Sequence, residues 1–74
     1  MEFYQRIREL REDTEPHLKQ EEIGLILGMT QRKVSRLETN KTQPTTEEIK
    51  KYCIYYNLSA DYLLGLTDEK RPLK

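Results

Sequence analysis

The chain of 74 residues carries thirteen basic and thirteen acidic side chains, and 35% of its residues are apolar. A chain this short forms one small domain and leaves no room for a catalytic cleft between two lobes. One cysteine and one histidine exclude an intramolecular disulfide and argue against a structural zinc site, which normally takes four such ligands.

No targeting or membrane segment is visible in the sequence. The N-terminus, MEFYQRIREL, lacks the apolar stretch of a signal peptide. The longest nearly apolar run, residues 23–29, is far shorter than the roughly 20 residues that span a bilayer. We therefore expect a cytoplasmic single-domain protein that needs no metal and no cofactor.

The net charge of zero conceals a segregation of charge along the chain. Residues 30–43 hold four cations against one anion, whereas residues 1–15 hold three arginines against five acids. A local excess of positive charge is what a DNA-reading surface needs. An ordinary solvated helix face is the alternative interpretation of the same pattern.

Apolar side chains recur at helical spacing near the N-terminus, namely at Tyr4, Ile7 and Leu10. They predict a first helix over about 2–13, which ends before Pro16 because a proline pushes the preceding residue out of the α region. After a loop, a second helix is predicted from Gln20 to about Leu27. Gly28 follows its last apolar residue and is expected to end it in the left-handed conformation.

Side chains with capping chemistry predict where the next two helices begin. Thr30 is a good N-cap for a third helix that runs to about Glu38, and Asn40 tolerates the left-handed conformation after its end. Thr45 and Glu48 fit a capping box that opens a fourth helix.

The fourth helix is predicted to end at about Tyr56, and Ser59 caps a short fifth helix that ends near Gly65. No strand-like alternation is present anywhere in the sequence. We therefore predict an all-α fold of five short helices, with one domain over residues 1–66 followed by a loose polar tail, 67–74.

The second and third predicted helices have the pattern of a helix-turn-helix. Gly24 lies inside a helix, where glycine costs about 1 kcal/mol relative to alanine and so needs a reason. Close approach of the third helix's backbone would supply one, and alanine at this position is then expected to be tolerated. Five apolar residues are spaced to fill the wedge between the two helices: Ile23, Leu27, Met29, Val34 and Leu37.

Residues 6–65 resemble the phage lambda repressor/Cro-type helix-turn-helix family, the XRE-family regulators of bacteria and phages. The segments that carry the resemblance are RIRELRE, QEEIGLILGMTQRKVSRLE, NKTQPT and NLSADYLLGL. Three residues depart from the family pattern, since Lys19 replaces a capping Ser or Thr, Gly24 an alanine and Asn40 a glycine. The loop from Asp13 to Lys19 is also about two residues longer than is typical of the family.

The resemblance implies sequence-specific binding of double-stranded DNA by a transcriptional regulator, expected to be a repressor, whose third helix enters the major groove. Because Val34 and Leu37 face inward, four residues of that helix remain to contact base edges: Gln31, Arg32, Ser35 and Arg36. Glutamine can pair bidentately with adenine and arginine with guanine. The alternative for all four is a solvated helix face.

Phosphate contacts and one ion pair are also implied by the resemblance. Gln20 is similar to the family glutamine that binds a phosphate at a helix N-terminus, and capping is its alternative role. The expected phosphate contacts are Gln20, Thr30, Lys33, Thr39, Asn40, Lys41 and Thr42. Arg11 and Glu38 resemble the family's partly buried pair that ties the first helix to the third, although two unrelated surface charges are possible.

Two other functions compete with DNA binding. An enzyme is disfavoured because no nucleophile and base share a suitable spacing, and Cys53 lies on an apolar stripe. A protein-binding module, such as an antitoxin or co-regulator, is favoured by apolar residues at positions that should face outward: Leu25, Ile26, Ile54 and Tyr55. A homodimer on a pseudo-palindromic operator explains them equally well, with residues 63–66 as a further candidate contact.

Overall fold

The computed structural model describes residues 1–73 and contains five α-helices. The helices are α1 (Phe3–Glu12), α2 (Gln20–Leu27), α3 (Gln31–Glu38), α4 (Thr46–Tyr56) and α5 (Ala60–Leu63). The described chain contains no strand, so the predicted all-α fold of five helices is confirmed. None of these helices has the length and apolar character that crossing a membrane requires.

Side-chain caps begin three of the helices where the sequence predicts them. The hydroxyl of Thr30 accepts a hydrogen bond from the backbone N–H of Lys33. Thr45 and Glu48 bond each other's backbone N–H groups in a capping box, and Ser59 caps α5. Gly28 and Asn40 take the left-handed conformation, with φ of 71° and 60°. The hydrogen bonds to Thr30, Thr45 and Ser59 satisfy backbone N–H groups that have no partner within the first turn of a helix.

One apolar core joins the five helices. Each helix contributes residues to the buried set: Phe3, Ile7, Ile23, Leu27, Val34, Leu37, Tyr52, Cys53, Leu58, Tyr62 and Leu63. The Phe3 and Tyr52 rings meet edge to face with centroids 5.8 Å apart, which links α1 to α4. Because Val34 and Leu37 are almost fully buried, the opposite face of α3 must point outward.

Backbone approaches Gly24 closely, as predicted, but from the turn and the very start of α3. A Cβ atom at this position would lie 2.7 Å from the carbonyl oxygen of Met29 and 3.4 Å from the carbonyl carbon of Thr30, the N-cap of α3. The same turn is closed by a 2.7 Å hydrogen bond from the N–H of Met29 to the carbonyl oxygen of Gly24. The backbone of the turn therefore packs directly against Gly24. The expectation that alanine is tolerated here is wrong, and we expect alanine to destabilise the domain.

The segment after residue 66 passes back over α1 and the α4–α5 connection. Asp68 accepts a 2.6 Å charge-assisted hydrogen bond from the buried guanidinium of Arg6. The N–H of Ser59 donates to the carbonyl oxygen of Arg71, and the N–H of Leu73 donates to that of Asn57. Residues 67–73 are thus bonded to the helical domain, and Lys74, the end of the predicted tail, lies outside the described residues.

Candidate nucleic-acid interface

The outward face of α3 presents the four residues predicted to contact bases. Gln31, Arg32 and Arg36 are exposed and Ser35 is half-buried, which follows from the burial of Val34 on the same helix. A helix buried through positions i and i+3 leaves the remaining positions for a partner. The first turn of α3 carries Gln31 and Arg32, the positions that reach base edges when such a helix enters the major groove.

These side chains line one open concavity with Lys41, which comes from the segment after the helix. The concavity has a volume of about 460 Å³ and is lined by Gln31, Arg32, Ser35, Arg36 and Lys41. Three of its five lining residues are cations and none is an acid. The chain has no net charge, but this surface is locally cationic and can therefore attract the anionic phosphates of DNA.

Lys41 reaches this surface because the chain turns back at the end of α3. Its backbone N–H donates a 2.9 Å hydrogen bond to the carbonyl oxygen of Arg36, across the left-handed Asn40. The hydroxyl of Thr39 donates to the carbonyl oxygen of Ser35. Thr42 and Asn40 line a separate depression of about 110 Å³, beside Phe3 and Pro44.

Lys33 also stands apart from the remaining predicted phosphate contacts. Its ammonium lies 3.3 Å from the carboxylate of Glu48 at the start of α4, and the Lys33 side chain is two-thirds buried. Position 33 lies on the flank of α3 that faces α4 rather than on the outward face. Burial would raise the pKa of the Glu48 carboxyl, but the N–H of Thr45 and the ammonium of Lys33 outweigh it and lower the pKa below its ordinary value.

Arg11 and Glu38 form a bidentate ion pair between α1 and the end of α3. Arg11 Nε donates to Glu38 Oε2 over 2.8 Å, and its Nη2 donates to Oε1 over 2.9 Å. The side chains are 14% and 1% exposed, so the pair is shielded from solvent. A third donor of Arg11, Nη1, bonds the carbonyl oxygen of Leu18 and fixes the loop before α2.

Gln20, the first residue of α2, is tied to the same buried carboxylate. Its Nε2 donates a 3.2 Å hydrogen bond to Glu38 Oε1. Sequence reasoning missed this bond and the bond of Lys33 to Glu48, because both join residues of different helices and no local pattern predicts them. It also missed Thr14, whose hydroxyl bonds the carbonyl oxygen of Arg11 and the N–H of Leu18.

Three of the exposed apolar residues of α2 and α4 line one groove. Ile26, Ile54 and Tyr55 line a groove of about 350 Å³ with Leu27 and Lys51. Ile54 also borders a second apolar groove of about 460 Å³, which is lined by Thr46, Ile49, Lys50, Cys53, Ile54, Ala60, Leu64 and Leu73. This surface carries the protein-binding and dimer hypotheses.

The two side chains considered for catalysis, Cys53 and His17, differ in their exposure. Cys53 is buried, and burial raises the pKa of its thiol, so the thiolate is disfavoured at neutral pH. His17 is exposed in the loop before α2. Within residues 1–73, no three His, Cys, Asp or Glu side chains are grouped so that they could hold a metal ion.

A comparison with known protein families agrees with this geometry. A family model described as helix-turn-helix matches residues 7–63, which include all five helices except the first residues of α1. Comparison with curated proteins and with solved structures gave no match.

Proposed function

The chain belongs to the lambda repressor/Cro-like helix-turn-helix family of DNA-binding transcription regulators, and from this premise we propose that it reads a specific double-stranded sequence with α3 in the major groove. The cationic concavity on the outward face of α3 is the single observation that carries the proposal, because residues with base-pairing side chains line it together with Lys41. Gln31, Arg32 and Arg36 contact base edges, and Ser35 contacts a base or a phosphate.

Phosphates on either side of the groove are held from the two ends of the motif. Gln20 and the free N–H groups at the start of α2 take one phosphate. Lys41, with Thr39 and Asn40, takes another beyond the end of α3. Thr30 lies beside Gln31 and has a hydroxyl proton to donate. Lys33 plays a smaller part, since it is engaged by Glu48. Thr42 lies close to Asn40, because both line one depression beyond the end of α3, and it supports the same phosphate.

The protein acts as a repressor and binds as a homodimer. One small domain makes few base contacts, so specificity requires two copies on a pseudo-palindrome whose half-sites lie about 34–36 Å apart. A dimer lying across a promoter excludes polymerase by occupancy. The site of action is the cytoplasm of a bacterium, or of a phage-infected one, where the DNA is accessible.

Selection of bound sequences from a random duplex pool tests the proposal. We expect an enriched pseudo-palindrome, and footprinting on it should protect two half-sites one helical turn apart. The matched control is Lys70→Ala, which removes an exposed cation that lines neither the concavity nor the two apolar grooves. A pool that shows no enrichment, or enrichment that the double variant Gln31→Ala/Arg32→Ala leaves unchanged, would contradict the proposal.

A protein-binding module is the second candidate function, and the apolar surface around Ile54 favours it. Ile54 is 69% exposed and Ile26 49% exposed, and both line the same groove, so exposed apolar side chains are clustered there as they are at interfaces. The homodimer and a foreign partner predict different results for Ile54→Asp. Loss of self-association together with loss of DNA affinity supports the dimer, whereas unchanged DNA binding supports the foreign partner.

A further inference from the structure

Glu38 is the most buried charged group of the motif, and its two oxygens receive three donors. Arg11 bonds both oxygens, and Gln20 Nε2 bonds Oε1. With 1% of its side chain exposed, Glu38 cannot touch DNA itself. Its positive partner lies on the side of α1, so the carboxylate is neutralised locally and does not oppose an approaching phosphate.

The bond to Glu38 determines how the carboxamide of Gln20 is oriented. A carboxylate only accepts hydrogen bonds, so the nitrogen of the amide must face inward and the oxygen cannot take its place. The amide nitrogen carries two hydrogens, and Glu38 takes one of them. Within residues 1–73 no other hydrogen bond is made by this nitrogen, which leaves the second hydrogen for a ligand at the start of α2.

Without Glu38 the amide of Gln20 could rotate by half a turn. Its oxygen would then face the phosphate, and two acceptors would oppose each other where a donor is required. The backbone N–H groups of the first turn of α2 would remain in place, because they belong to the helix. The amide of Gln20 therefore contributes to the phosphate site only while its hydrogen bond to Glu38 is kept.

We propose that Glu38 is a positioning residue for DNA binding, which holds the Gln20 carboxamide with one N–H directed at a phosphate. The inference rests on the proposed function and names the buried group that shapes one of its phosphate contacts. Its effect is confined to one phosphate, whereas a merely structural role would weaken every contact together.

The test uses the selected duplex with single phosphates replaced, one at a time, by neutral methylphosphonates. In the wild-type protein, replacing the phosphate bound by Gln20 should weaken binding about tenfold, the cost of one charge-assisted hydrogen bond. In Gln20→Ala the same replacement should cost clearly less, since only the backbone N–H groups of α2 still hold that phosphate, and this difference identifies the phosphate. Glu38→Leu leaves no acceptor for Gln20 Nε2, so the cost should fall to the value found in Gln20→Ala, while replacement of the phosphate that Lys41→Ala identifies should cost as much as in the wild type.

Glu48→Leu is the matched control, since it removes another largely buried, cation-paired carboxylate that does not contact Gln20. It should leave the Gln20 phosphate effect at about tenfold. All proteins are compared at a temperature at which circular dichroism shows each of them to be folded. Equal effects at the Gln20 phosphate in Glu38→Leu and in the wild type would overturn the inference, and so would a uniform loss at all phosphates.

A measurement on the wild-type protein covers the case in which Glu38→Leu does not fold. The two Nε2 protons of Gln20 give separate nuclear magnetic resonance signals. On addition of duplex, the proton bonded to Glu38 should keep its shift and the other should move. Movement of both protons, or of neither, would overturn the inference. Failure of the wild-type protein to bind any duplex would instead refute the proposed function and the inference with it.

Discussion

Replacing Arg11 with methionine should severely destabilise the domain. Methionine fills similar space but removes all three hydrogen bonds of the guanidinium, two to Glu38 and one to the carbonyl oxygen of Leu18. The carboxylate of Glu38 would stay almost fully buried with only the amide of Gln20 as a donor. Removing one partner of a buried ion pair costs about 3–5 kcal/mol, because the other charge is left uncompensated.

The loss predicted for Arg11→Met is large relative to the total free energy of unfolding of the domain. A domain of this length has a free energy of unfolding of roughly 4–11 kcal/mol, so Arg11→Met would be marginally folded at 25 °C. The melting temperature should fall by roughly 12–40 °C. Arg11→Lys should recover only part of the loss. A lysine ammonium lacks the planar fork of a guanidinium, so it cannot bond both oxygens of Glu38 and the carbonyl oxygen of Leu18 at the same time.

Urea unfolding of the single and double variants completes the test. Because an apolar pair of similar volume can replace a buried ion pair at little cost, Arg11→Met/Glu38→Leu should be clearly more stable than Arg11→Met alone. The coupling free energy from this cycle should exceed about 1 kcal/mol. A loss below about 1 kcal/mol in Arg11→Met would refute the reasoning, since it would put the pair in the range of exposed ion pairs.

Three further predictions concern stability. The pKa of Glu48 lies below its ordinary value of 4.5, so the stability that the ionised carboxylate contributes is fully present above pH 4.5. That contribution is lost as the pH falls through the lower pKa of the folded protein. Urea unfolding at pH 3–6 should therefore show that Glu48→Gln loses less stability on acidification than the wild type. Gly24→Ala should lower the free energy of unfolding by about 1–3 kcal/mol, because the Cβ of the new alanine would meet the carbonyl oxygen of Met29. This cost should outweigh the better helix propensity of alanine. An unchanged melting temperature would contradict the prediction. Asp68→Ala should cost less than about 1 kcal/mol, because the Asp68 carboxylate that pairs with the buried guanidinium of Arg6 is itself 96% exposed, and a loss above about 2 kcal/mol in urea unfolding would contradict this.

The parts of the fold that local chemistry determines were predictable from the sequence. Thr30, Thr45 and Ser59 begin helices because their hydroxyls bond N–H groups only two or three residues away. The left-handed conformations of Gly28 and Asn40 follow from the same short-range reasoning, and both are confirmed. The family and the five-helix fold are confirmed as well.

The parts that depend on how helices pack were not predictable. Lys33 carries the same charge as Lys41, and only the position of α4 shows that Glu48 engages the first and not the second. Gly24 was assigned to a helix crossing because helical spacing does not reveal how tightly a turn closes. Arg6 meets Asp68 across 62 residues of chain. The assignment of individual residues to bases and phosphates stays a prediction.

The central claim is that α3 reads bases while the segment after it holds a phosphate, and salt-dependent DNA affinity tests it most directly. Fluorescence anisotropy would compare the wild type, Arg32→Ala and Lys41→Ala on the selected duplex and on a scrambled one, with Lys70→Ala as the control. Arg32→Ala should lose about 1–3 kcal/mol on the selected duplex alone, with relaxed preference at one base position. Lys41→Ala should weaken both duplexes alike and reduce the salt slope by about one. Equal losses of Arg32→Ala on both duplexes, or wild-type binding by both variants, would contradict the assignment of α3 to the bases.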